Sequence, residues 1–139
     1  MNSATYRTLR EACGLHQQAA ADFHGVDVST IKHWDNLDGN IPDRVAEEIT
    51  DLNDAIEHRA ALQLIAITDR ANADPVVLIR YRTETDYRAF CPYGDVLPWP
   101  CHALLLARVL LTLKHRSRTV QIVWSSPSGA PERYLGLGS

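Results

Sequence analysis

One stretch constrains this chain more than any other: Gln17 to Trp34, QQAAADFHGVDVSTIKHW, reads as two short helices joined by a tight turn. Two helices that cross steeply need a small side chain where their backbones approach, and Ala21 supplies it. The bend needs a residue that tolerates positive φ, which is Gly25. Val26 follows as an apolar plug beneath the turn. Asp27 is expected to cap the second helix through its carboxylate, while Ile31 and Trp34, three residues apart, turn one stripe toward a core. Val28, Ser29, Lys32 and His33 are left facing outward. A helix presented in this way fits the DNA major groove, so these four are the candidate base-reading residues; His33 can donate to guanine and Val28 can touch a thymine methyl. Gln17, Thr30, Asn36 and Arg44 flank that face with donors the core does not need, and are the candidate phosphate contacts.

The net charge of −3 argues against a nucleic-acid binder until the charge is located. Residues 1 to 60 carry five Lys and Arg against eleven Asp and Glu, but eight of those acids lie between Asp35 and Glu57, beyond the reading helix. Residues 1 to 34 balance at three and three. A neutral face used twice still binds DNA, with few phosphate contacts and a modest salt slope.

Along the rest of the chain, Asn2 or Ser3 is placed to cap a first helix that runs to about Cys13, with Tyr6, Leu9 and Cys13 toward the core and Gly14 as its stop. Leu15 anchors the approach to the motif. After Trp34 the loop DNLDGNIP is rich in turn formers, and Pro42 sits where proline favours helix initiation. A long helix is expected from Asp43 to Arg70. Val45, Ile49, Leu52 and Ile56 form one stripe, whereas Leu62, Leu64, Ile65 and Ile67 surround the helix, which implies cover on more than one side from a second domain or a second subunit.

The segment ANADP breaks that helix, and VVLIRY, from Val76 to Tyr81, is a β-branched strand. Thr83 and Asp86 resemble a capping box that opens a short helix to about Phe90. CPYGDVLPWP, with three prolines and a glycine, is a loop. A helix from Pro100 to about His115 is marked by Ala103, Leu106, Ala107, Leu110 and Leu113, and TVQIVW, from Thr119 to Trp124, is a second strand. In the turn-rich tail, Tyr134 and Leu135 are available to dock. The expected fold is mainly α with a small α+β part: a helix-turn-helix bundle with its connecting helix over 1–70, a β-α-α-β dimerisation domain over 71–124, and a tail over 125–139. Two strands alone are marginal in water, so pairing between subunits is expected, and assembly into a homodimer is the most economical role for the C-terminal half.

Three cysteines, Cys13, Cys91 and Cys101, lack metal-type spacing and fit reduced thiols, so neither a metal nor a cofactor is expected. Cys101 and His102, adjacent on a helix, diverge by about 100° and cannot face each other as nucleophile and base. No other acid, base and nucleophile set converges, so an enzyme is not expected. There is no run of about 18 apolar residues and the N-terminus is polar, which excludes a transmembrane helix and a secretory signal and places the protein in the cytoplasm.

With Ala21, Gly25, Ile31 and Trp34 in these positions, the motif resembles the lambda-repressor and Cro-like helix-turn-helix family. Ala20 and His24 depart from it, standing where the family usually has larger apolar residues. The resemblance implies a pairing of a basic residue on the first helix with an acid just after the reading helix, here Arg10 and Asp35. The motif, the long helix and the segments RYRTETDYRAF and LPWPCHALLLARVLLTL together resemble the autoregulators of the anti-CRISPR-associated family. What this implies is a homodimeric repressor that binds an inverted repeat of double-stranded DNA at the promoter of an anti-CRISPR operon. Two rival readings are an antitoxin, whose other half is reserved for a toxin, and a regulator that binds the RNA of its own transcript through basic residues near Lys114, Arg116 and Arg118.

Overall fold

A computed structural model describes residues 1–36, 40–69, 75–127 and 129–131. The described residues hold six helices and one two-stranded sheet. The chain divides into two compact units, Met1–Arg59 and Ala60–Ser139, so the divide lies inside the long helix, where the sequence reading drew it at 70. Arg70, Tyr134 and Leu135 lie outside the described residues.

The first unit contains α1 (Ser3–Ala12), α2 (Gln17–His24), α3 (Val28–Asp35) and the first part of α4 (Asp43–Asp69). Asn2, rather than Ser3, caps α1, its Oδ1 accepting from the Thr5 amide at 2.8 Å. Gly14 ends that helix with a φ of 78°. The turn after α2 depends on Gly25, whose φ is 70° although a Cβ there would meet nothing within 4 Å, so conformation and not space demands the glycine. Asp27 stands at the N-cap of α3 but makes no side-chain capping bond, contrary to expectation. The first turn is closed by backbone instead, with the Thr30 amide donating to the Asp27 carbonyl at 2.9 Å.

Tyr6, Leu15, Ala20, Ala21, Ile31 and Trp34 are buried together with Val45, Ile49, Leu52 and Ile56 from the expected stripe of α4. Leu9 is only half-buried, and Arg10 takes a buried place on α1. His24, one of the two departures from the family pattern, fills the apolar position itself. It is 3% exposed, its ring lies 5.7 Å from that of Tyr6 and 5.9 Å from that of Trp34, and its Nδ1 is 3.3 Å from Glu48 Oε1.

The second unit holds the end of α4, then β1 (Val76–Arg80), α5 (Glu84–Phe90), α6 (Cys101–His115) and β2 (Val120–Trp124). The strands pair with each other in parallel, in register from Val76 opposite Val120 to Arg80 opposite Trp124. This corrects the expectation that they lack partners within one chain. Parallel strands need a long crossover, and α5, the proline-rich loop and α6 provide it. Thr83 Oγ1 accepts from the Asp86 amide at 3.1 Å and so caps α5 as expected. Residues Cys101, His102, Leu105, Leu106, Val109 and Leu113 of α6 are buried, whereas Ala103, Ala107 and Leu110 are half-buried. The stripe therefore differs from the expected one, because α6 is apolar around most of its circumference and periodicity alone does not pick its face. At Gly94 a Cβ would fall 2.2 Å from the Tyr87 carbonyl oxygen, so the loop can cross α5 only without a side chain. On the surface of this unit Leu62, Ile65 and Leu111 are 44%, 59% and 56% exposed.

Candidate nucleic-acid interface

The eight residues of α3 sort by face. Ile31 is fully buried and Trp34 is 7% exposed, which turns Ser29, Lys32 and His33 out to solvent and leaves Val28 and Thr30 half-buried. Positions 28, 29, 32 and 33 lie one turn apart in pairs and so form a single stripe on one side of the helix. It carries a hydroxyl, an ammonium, an imidazole and a branched methyl pair, which between them can donate to base edges, accept from them and pack on a thymine methyl.

Beside that stripe a groove of about 790 Å³ runs over α1, the turn after it, the start of α2 and the start of α3. Gln17, Val28, Lys32 and Arg10 line it, together with Arg7, His16 and Gln18, which sequence reasoning did not single out. Their signal was present but weak. Arg7 lies one turn before Arg10, and His16 sits at the start of a helix without being one of the usual capping residues. His16 nevertheless caps α2, since its Nδ1 accepts from the Ala19 amide at 3.2 Å. An accepting Nδ1 places the proton of the neutral ring on Nε2.

The other expected phosphate contacts are differently placed. Asn36 donates from its amide to the Lys32 carbonyl at 2.9 Å and so closes the end of α3. Arg44 lies on α4, where its Nη1 donates to Glu48 Oε1 at 2.8 Å and to the His24 carbonyl at 3.3 Å, while its side chain remains 61% exposed. Neither residue lines the groove.

Behind the stripe, Arg10 Nη2 donates to Asp35 Oδ2 at 2.7 Å, with the two side chains only 5% and 3% exposed. Gln17 Nε2 donates to the same oxygen at 3.0 Å. Arg10 Nη1 donates to the Leu15 carbonyl at 2.8 Å, and Ser3 Oγ to the Asp35 carbonyl at 2.9 Å. Burial dominates the electrostatics of the surrounding core. It pushes the Tyr6 phenol up to about 12, and it lowers His24 despite the opposing pull of Glu48.

Cys91 and Cys101 are buried and not in a disulfide, and among the described residues no three His, Cys, Asp or Glu side chains gather as a metal-binding set. No described helix is long and apolar enough to cross a membrane. No curated protein matches the chain. Residues 1–116 match the model of a protein family described as Aca2/YdiL-like.

Proposed function

The chain belongs to the Aca2/YdiL-like family, consistent with an anti-CRISPR-associated regulator, and from that premise we propose that it is a sequence-specific DNA-binding repressor. It binds as a homodimer to an inverted repeat in the promoter of an anti-CRISPR operon that includes its own gene. The observation that carries this reading is the division of α3 into a buried Ile31 and Trp34 side and an exposed Ser29, Lys32 and His33 side. In this reading Val28, Ser29, Lys32 and His33 meet base edges, while Gln17, Thr30, Asn36 and Arg44 hold the phosphate backbone. Arg10 and Asp35 fix α1 to the end of α3. The exposed Leu62, Ile65 and Leu111 of the second unit support the second copy, since large apolar side chains left at the surface gain from burial on association.

Footprinting on the DNA upstream of the gene tests the proposal, with two symmetric protected half-sites as the expected result. Replacing Ser29 or His33 by Ala should relax preference at one position of each half-site, at a cost of about 1 to 3 kcal/mol. If both variants distinguish operator from scrambled DNA as well as the parent does, α3 is not the reader.

A further inference from the structure

We infer that Gln17 is a positioning residue that couples a DNA-backbone contact to the seating of α3, so that its loss degrades sequence discrimination more than affinity for DNA in general. The inference rests on the proposed reading of the first unit as a DNA-binding module.

A carboxylate only accepts, so the group of Gln17 that faces Asp35 Oδ2 at 3.0 Å is its NH2, and this fixes the orientation of the whole amide. Arg10 Nη2 donates to the same oxygen, while Asp35 Oδ1 is buried with no hydrogen-bond partner among the described residues. A charge withdrawn from water on these terms relies on its two donors, and losing either leaves a buried anion under-satisfied. Asp35 is the last residue of α3. It is held by Ser3 and Arg10 of α1 and by the first residue of α2, and Arg10 also grips the turn between those helices at Leu15.

The amide nitrogen of Gln17 carries a second N–H, and the side chain lines the groove beside His16, Gln18 and Lys32. A phosphate seated there accepts from the same nitrogen whose other hydrogen holds Asp35. Serving a phosphate out of register would turn the amide and release the carboxylate, whereas one in register leaves the bond to α3 intact. A plain backbone contact has no such link, and its loss weakens binding to every sequence alike.

The test titrates the duplex upstream of the gene, and an unrelated duplex of equal length, with the full-length parent, Gln17→Ala and Gln17→Glu. Gln17→Ala should lower the preference for the upstream duplex about tenfold, with a smaller loss on the unrelated one. Gln17→Glu sets two carboxylates together and should lose the preference at neutral pH. Acidification protonates one of them, restores an O–H donor to Asp35 and should recover the preference relative to the parent at the same pH. Glu11 and His16, the other titratable groups of the groove outside the arginines and Lys32, are common to parent and variant. An equal loss on both duplexes, or no loss, overturns the inference. Hydrogen exchange without DNA gives a second reading: Gln17→Ala should speed exchange of the α3 amides about tenfold, and unchanged exchange overturns the link. If the parent prefers no duplex, the repressor reading fails by itself and the exchange measurement still decides the link.

Discussion

His102 is 2% exposed and is held at both ring nitrogens. Nε2 accepts from the Tyr81 amide at 3.2 Å, so in the neutral ring Nδ1 carries the proton and donates to Tyr93 Oη at 3.1 Å. The ring stacks on Trp99 with centroids 5.8 Å apart, and burial, followed by the charge of Arg80, takes its pKa from 6.5 down to about 4. The unfolded chain therefore binds a proton that the folded chain refuses. The stabilisation is fully present above about 6.5, falls as the pH drops through the window down to about 4, and is then gone, amounting to about 3 kcal/mol. Urea denaturation of the parent should show the midpoint falling across that window. His102→Gln, which keeps an acceptor for Tyr81, should flatten this part of the profile, and an unchanged slope would remove His102 as its source.

At the scale of elements, two glycines test two different constraints. Gly25→Ala places a side chain in open space at a φ of 70° and should cost only about 1 kcal/mol. Gly94→Ala drives a Cβ to 2.2 Å from the Tyr87 carbonyl and should cost about 3 kcal/mol or more, since neither backbone can yield alone. Thermal melts of the two variants compare them directly, and equal shifts would mean that the α5 crossing relaxes freely. The same contrast explains what the sequence made legible. Gly25, Ala21, Ile31 and Trp34 lie within a few residues of one another, so helical spacing revealed their roles. The bond from Gln17 to Asp35 spans 18 positions and obeys no local period, which is why the sequence marks Gln17 only as a candidate phosphate contact. His24 departs from the apolar pattern because an imidazole counts as polar in a sequence, although in place it packs as an aromatic ring against Tyr6, Phe23 and Trp34. The two strands were found from their composition, but their pairing in parallel across the crossover lay beyond what composition encodes.

For the whole molecule, one reading helix distinguishes only a few base pairs, whereas two related by a two-fold axis read half-sites roughly 34 Å apart. With the C-terminal part joining the copies, as proposed, DNA recognition depends on residues outside the unit that carries α3. A chain ended after Arg70 should sediment as a monomer and lose operator affinity by orders of magnitude, because its second contact is no longer tethered. A truncated protein that binds as tightly as the parent, or a monomeric parent, would defeat this arrangement.

The family match ends at residue 116, before β2 begins at Val120, yet β2 is the strand that pairs with β1. A ladder is made of main-chain amides and carbonyls that every residue except proline supplies in full, and nearly any sequence able to lie extended can occupy it. The matched stretch therefore holds β1 and the whole crossover but not β2, and a chain cut at its last residue would lose half of the sheet.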